Sequence, residues 1–266
     1  MIGWLTDPSS WSGTDGIWAR ILEHVQYSLV TLLIASVIAI PLGLRIGHTG
    51  KGRVVVVNLV NGMRSLPTLG LLFAAVLVAG PLIGGDLAFL APSIFVLVVL
   101  AIPPILAGAY SGVEEVDPAA RDAARGMGMT AMQLLREVEV PCALPLIFSG
   151  VRSAALQVIA TATVAASVSI GGLGRFLIDG LAFRDYGMMA GGAVVVGVLA
   201  LVIDFVFAII QRFAVSPGLT APASGRRTRG RRRRSTDADD AEAPPQSPDQ
   251  THDESPDETL ADRRTP

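Results

Sequence analysis

Cysteine occurs once, at Cys142, and histidine three times, at His24, His48 and His252. One thiol excludes an internal disulfide, a cysteine-rich zinc site and an iron–sulfur cluster, and the three histidines are too scattered to suggest a ligand set. Lysine is nearly missing: of the 21 basic residues only Lys51 is not an arginine, which reads as compositional bias rather than chemistry. Charge of either sign is scarce, at 17% of the chain against about 25% in soluble domains. It is also unevenly spread. Residues 216–266 hold 19 of the 44 charged side chains and almost no large apolar ones. The preceding 215 residues hold the other 25, too few to cover a water-solvated surface of that size. The body therefore reads as a membrane protein and the tail as a disordered polar segment.

What is abundant is apolar sequence, 51% of the chain. Five stretches stand out, over about residues 25–44, 54–80, 91–111, 144–170 and 188–213. Each has about 20 residues or more, enough to cross roughly 30 Å of hydrocarbon as a helix. Their length and lack of strict alternation argue against barrel strands. Pro67, Pro103 and Pro104 are expected to kink or break their helices rather than end them, because apolar sequence continues beyond each. The fold class is thus all-α and membrane-embedded, with five spans in residues 20–213. Residues 1–19 form an N-terminal segment and residues 214–266 a tail that is arginine-rich and then acidic. The first 16 residues carry Asp7 and Asp15 and no Lys or Arg, unlike a secretory leader.

Basic residues suggest the orientation. Arg45, Lys51 and Arg53 follow the first stretch, Arg121, Arg125 and Arg136 follow the third, Arg212 closes the fifth, and a cluster of seven arginines at 226–234 comes after it. The other side has fewer: Arg20, Arg175 and Arg184. The positive-inside rule then places the N-terminus outside and the C-terminus in the cytoplasm of a multi-pass cell-membrane protein, and five spans agree with that parity. The tail's arginine cluster can attract anionic lipid. Nucleic acid is not an expected partner, since aromatics are absent there and the acidic half would compete.

The longest connection, residues 112–143, is the informative one. Asp117-Pro118 is a helix start, with Asp as the cap and Pro at the first helical position. Ala119, Ala120, Ala123 and Ala124 pave a smooth face. Gly126 and Gly128 interrupt the helix, and one of them is expected to take a positive φ. Thr130 with Gln133 reads as a capping box that opens a second helix, on which Met132, Leu135 and Val138 share a side and which Pro141 is expected to stop. On helix pattern alone this is equally a docking element for a cytoplasmic partner or a surface hairpin packed on its own membrane domain.

Asp122-Ala123-Ala124, Gly128 and Val138-Glu139-Val140-Pro141 match the spacing E-A-A-x₃-G-x₉-I-x-L-P, with Asp for Glu and two Val for Ile and Leu. In this the chain resembles the permease subunits of ABC importers of the type I, binding-protein-dependent family. Val116-Asp117-Pro118, Ala123 through Thr130, Pro141 through Pro145, Ala160 through Thr163, Gly171 through Gly174 and Ser65 through Leu69 resemble its osmoprotectant branch (glycine betaine, carnitine, choline). The resemblance covers roughly residues 20–213.

The resemblance implies a pair of permeases, identical or homologous, above two cytoplasmic ATPase subunits that bind ATP and magnesium. An extracytoplasmic binding protein would deliver the substrate, and alternating access would move it inward. The coupling residues would be Asp117, Asp122, Ala123, Ala124, Gly126, Gly128 and Pro141, with Ala123, Ala124 and Gly128 at the ATPase contact. Small side chains there suit close docking. No cofactor is expected in this chain. Its nearest approach to a phosphate loop, Gly47-His48-Thr49-Gly50-Lys51-Gly52, lacks the first glycine at the required spacing and the magnesium-binding hydroxyl.

Polar residues at membrane depth complete the candidate list. Arg64, Arg152 and Asp204 are charges within apolar stretches, where an unpaired charge costs roughly 2.5–3.5 kcal/mol. Asp204 is expected to pair with Arg64 or with Arg152. The pair could be a packing bridge, line the substrate path, or snorkel to the interface. Gln157, Thr161 and Thr163 could line that path or bond across a helix contact, and Gly187-x-x-x-Gly191 could pack against a second permease. With three Trp and three Tyr, and the tryptophans all ahead of residue 20, the membrane body has no obvious cation–π cage for a quaternary ammonium ion. Selection by a separate binding protein fits that shortage. Two rivals have less support. An ion-driven secondary transporter would normally show repeated halves, and a membrane enzyme would need converging catalytic groups. A permease for another small solute, such as an amino acid, is the nearer alternative.

Overall fold

The structure is a computed structural model that describes residues 2–85, 87–168 and 170–214. The tail beyond residue 214, and the side chain of Arg64, lie outside the described residues. Every regular element among the described residues is a helix. Two short helices, α1 (Ile2–Thr6) and α2 (Pro8–Trp11), precede the long α3 (Ile17–Thr49). Then come α4 (Arg53–Arg64), α5 (Thr68–Ile83), α6 (Leu87–Glu114), α7 (Pro118–Gly126) and α8 (Ala131–Gln133). A π-helical segment, Leu134–Glu139, runs into α9 (Val140–Ala165), followed by a 3₁₀ turn (Ala166–Val168), α10 (Gly174–Ala182) and α11 (Tyr186–Ala214).

Four of these are long and apolar enough to cross a membrane: Ile17–Thr49, Leu87–Glu114, the continuous run Ala131–Val168, and Tyr186–Ala214. The second expected span, 54–80, is instead divided between α4 and α5. Pro67 supplies no N–H and holds the chain before it out of the helical region, so α4 ends at Arg64 and α5 restarts at Thr68. The 16 residues of α5 reach only about 24 Å, short of a full crossing. Pro103 and Pro104, in contrast, lie inside an unbroken α6.

The centre is built on α3, α6 and α9. Lipid tails are as apolar as leucine, so close packing rather than the hydrophobic effect must hold such helices together. Here glycine makes that packing possible. A Cβ at Gly108 of α6 would lie 2.6 Å from the Leu146 carbonyl oxygen of α9, and one at Gly150 of α9 would lie 2.7 Å from the Pro104 carbonyl oxygen. On the other side of α6, a Cβ at Gly43 of α3 would lie 2.7 Å from Ala109 Cβ. Around these crossings Ala35, Ala39, Ala101, Ile105, Leu106, Ala154 and Val158 form one buried cluster.

Polar ties at both ends fix the register. The hairpin end is defined by the C-termini of α3 and α6. There Arg53 opens α4 with a 2.7 Å bridge to Glu114 at the end of α6. At the opposite end the Gly172 N–H donates to Glu23 Oε2 at 2.8 Å, and buried His24 donates from Nε2 to the Ile159 carbonyl at 3.1 Å. The N-terminal segment also packs there. Trp4 meets Phe176 edge-on at 5.1 Å and occupies the notch above Gly191. The smooth patch at Gly191, a candidate contact for a second permease, is therefore filled by this chain's own tryptophan.

α11 is held to the body by polar bonds. Arg152 of α9 makes a two-pronged bridge to Asp204, Nε to Oδ1 and Nη2 to Oδ2, both at 2.6 Å. Gln211 donates to the Pro145 carbonyl at 3.2 Å. Arg152 sits 12 residues beyond Val140, about 18 Å along α9. Both charges are only half-buried by protein, so their pairing is what makes the site tolerable in hydrocarbon.

Two expected outcomes follow from this packing. Gly108→Val should lower the thermal stability of the detergent-solubilised protein by about 1–3 kcal/mol through overpacking. Gly62→Ala, where a Cβ meets nothing within 4 Å, should hold or raise it. Separately, Arg152→Leu or Asp204→Leu alone should cost roughly 2.5–3.5 kcal/mol by leaving one charge unpaired, and the double Leu variant should recover most of that in the same melting assay.

Candidate functional site

The loop expected to carry the function is a defined hairpin. Asp117 caps α7, accepting from the Ala119 N–H at 2.9 Å, with Pro118 in the first helical position. The helix ends on Gly128, whose φ of +83° only glycine adopts freely. The Gly128 N–H donates to Arg125 and the Met129 N–H to Ala124, the paired bonds of a Schellman termination. Gly126 remains helical, so of the two glycines Gly128 makes the turn. Thr130 and Gln133 form the reciprocal capping box that starts the second arm. Asp122 is exposed and bonds only its neighbour Arg125, at 3.3 Å.

Two details differ from the expectation. Ala124 is buried against this chain, while Ala119, Ala120 and Ala123 are exposed. Ala124 is already covered by this chain, so it is not free to meet a partner as Ala123 is. The open face of α7 is then carried by Ala123 and its exposed neighbours. The second difference is larger. Pro141 does not stop the second arm: α8, the π segment and α9 run on as one helix from Ala131 to Val168. A proline mid-helix lacks a donor and crowds the carbonyl four residues back. The wider π turn just before Pro141 absorbs both defects. It also moves the buried side chains to Leu134 and Glu139, five residues apart, while Met132 is exposed and Leu135 and Val138 only half-buried.

The hairpin is anchored at Glu139. This carboxylate is 1% exposed. Its Oε2 lies 2.6 Å from His48 Nδ1 in the last turn of α3, and its Oε1 lies 3.1 Å from Arg121 Nε in α7. Arg121 also donates from Nη2 to the Val113 carbonyl of α6. Reading the sequence for exposed charge missed this cluster. The available signal was an acid between Val138 and Val140, in an otherwise apolar part of the motif.

The intramembrane candidates divide. Arg152 and Asp204 are brought together, and Gln157 ties α9 to α6 by donating to the Leu100 carbonyl at 3.0 Å. Thr161 and Thr163 each donate to a carbonyl of their own helix, at Gln157 and Ile159. Of the two roles open to these hydroxyls, bonding across a helix contact is not made here; each is bonded within its own helix. Among the described residues no group of three or more His, Cys, Asp or Glu is placed to hold a metal ion.

Comparison with known proteins gives a consistent result. Residues 32–216 match the family model described as "Binding-protein-dependent transport system inner membrane component". The chain is 34% identical, over 74% of its length and 88% of the relative, to the glycine betaine/carnitine/choline transport system permease protein OpuCB of Bacillus subtilis (strain 168). It is 30% identical, over 74% of its length and 91% of the relative, to the osmoprotectant import permease protein OsmW of Salmonella typhimurium. Among solved structures it resembles the MetNI methionine ABC transporter in an inward-facing conformation, with a TM-score of 0.64 and 24% identity, over 75% of this chain and 96% of that one. That likeness concerns the fold. With a family match over most of its length, the chain belongs to the inner-membrane components of binding-protein-dependent transport systems.

Proposed function

We propose that this chain is the permease of an ATP-driven importer for a small osmoprotectant such as glycine betaine, choline or carnitine. The observation that carries the reading is the hairpin itself. Its turn needs glycine at 128, its exposed face is paved with small residues around Ala123, and its second arm continues into α9 without a break. Such an element presents a smooth, rigid contact to a partner and carries any push on that contact into the membrane core. A cytoplasmic ATPase that binds ATP and magnesium is the partner this fits, with the hairpin end and the C-terminus on the cytoplasmic side. The fewer basic residues at the opposite end agree with that orientation. In this reading the chain's role is transport, with hydrolysis carried out by the partner ATPase.

An extracytoplasmic binding protein would select the substrate, and a second permease, identical or homologous, would complete the path. Two observations support delegated selection. The tryptophans are spent on the N-terminal segment, with Trp4 on Phe176 and Trp11 5.3 Å from Trp18. The names of the relatives supply the substrate class, which the side chains of this membrane body do not specify.

Co-expression with its ATPase and binding protein tests the reading. Vesicles holding the complex should take up radiolabelled glycine betaine, choline or carnitine only when ATP is hydrolysed; uptake driven by an ion gradient without ATP would contradict it. Gly128→Glu should insert into the membrane normally and abolish uptake. Ala123→Trp should block co-purification of the ATPase without lowering the chain's own melting temperature. Ala124→Trp, at a buried position, should lower the melting temperature through a loss of about 1–3 kcal/mol of stability.

A further inference from the structure

The hairpin's apolar packing does not explain why a carboxylate is buried where it meets the membrane helices. Glu139 is met from two directions, by His48 on α3 and by Arg121 on α7, and Arg121 separately donates to the Val113 carbonyl on α6. Glu139 stands at the last position of the π turn that leads into α9. The carboxylate thus links the coupling helix to α3 and to the start of α9, while its partner Arg121 adds the tie to α6. We propose that Glu139, with His48 and Arg121, is the positioning joint that makes the hairpin and the core move together, so that displacement of α7 becomes displacement of α3, α6 and α9.

The physical reason lies in how polar and apolar contacts respond to displacement. Alkyl side chains can slide past one another while keeping most of their contact. A buried ion pair cannot: moving one partner away leaves a charge in a poor dielectric with nothing to balance it. The geometry is also directional. At 2.6 Å one proton must lie between His48 Nδ1 and Glu139 Oε2, so the contact is a short hydrogen bond of fixed geometry. α7 therefore cannot swing alone. The long α3 extends the effect, because its other end is tied through Glu23 and His24 to Gly172 and Ile159.

This inference rests on the ATPase-coupled reading above, and the test separates the two. The full complex is reconstituted in vesicles, and ATP hydrolysis and uptake of the three labelled osmoprotectants are measured in the same preparation. Glu139→Gln keeps the shape and removes the charge. It should lower the uptake per ATP hydrolysed by about tenfold, the size of an ordinary coupling between sites, while hydrolysis continues. His48→Leu should do the same, and His48→Gln, which keeps an N–H directed at Glu139, should return most of the lost coupling. Uptake per ATP unchanged in Glu139→Gln would overturn the joint, as would equal loss in His48→Leu and His48→Gln. Should Glu139→Gln fail to assemble, the His48 pair decides alone. A wild-type complex that shows no ATP-driven uptake would overturn the transport reading itself, and the joint with it.

Discussion

A bilayer gives a helix no hydrophobic reason to prefer another helix over lipid, so the core of this protein depends on how closely three backbones can approach. Gly108 and Gly150 let α6 and α9 cross with carbonyl oxygens where a side chain would otherwise stand, and Gly43 does the same for α3 against α6. Everything else is attached to that centre. α11 joins it through Arg152–Asp204 and Gln211, α4 through Arg53, and the N-terminal segment through Trp4 and α10. These named ties are polar or aromatic, and they add to the apolar packing of α4 (Val56, Val60) and α5 (Leu72) on the centre, so that the neighbours are held to the core at defined points.

The hairpin gains its meaning from the same construction. A surface loop joined to the core by flexible chain would dissipate a push. Here α7 ends in a fixed glycine turn, the second arm starts on a capping box, and that arm is the first part of the 38-residue helix from Ala131 to Val168. The π turn before Pro141 is the device that permits continuity. It accommodates a proline that would otherwise have ended the arm, and it places Glu139 where α3 and α7 can both reach it. Structural continuity and the buried ion cluster therefore come from one local irregularity.

Much of this was legible in the residues because local rules governed it. One of Gly126 and Gly128 was expected to adopt a positive φ, and the structure gives it to Gly128; Thr130 and Gln133 were expected to cap each other, Asp117 to start α7, and Asp204 to seek an arginine. Each is decided within a few residues or by the cost of charge in hydrocarbon. Which arginine would answer Asp204 depended on helix packing, and the structure pairs it with Arg152. The misreadings also have physical causes. Pro141 reads as a stop only when helices have 3.6 residues per turn throughout, and a π turn breaks that premise. Met132, Leu135 and Val138 were read as one face on the same premise. Ala123 and Ala124 were taken together because both are small, although their directions differ. Trp4 on Gly191 and His48 on Glu139 are contacts between distant segments, for which no local pattern exists.

The central claim is that the hairpin and α9 form one rigid lever. It is tested most directly by the distance between spin labels at Met127, exposed on the hairpin turn, and Ser153, exposed on α9, in the complete transporter with and without trapped ATP. The account predicts the same distance in both states, to within about a third of the 5.4 Å helical pitch. A change of a full helical turn or more on ATP binding would show that the hairpin bends independently of the membrane core, and would contradict it.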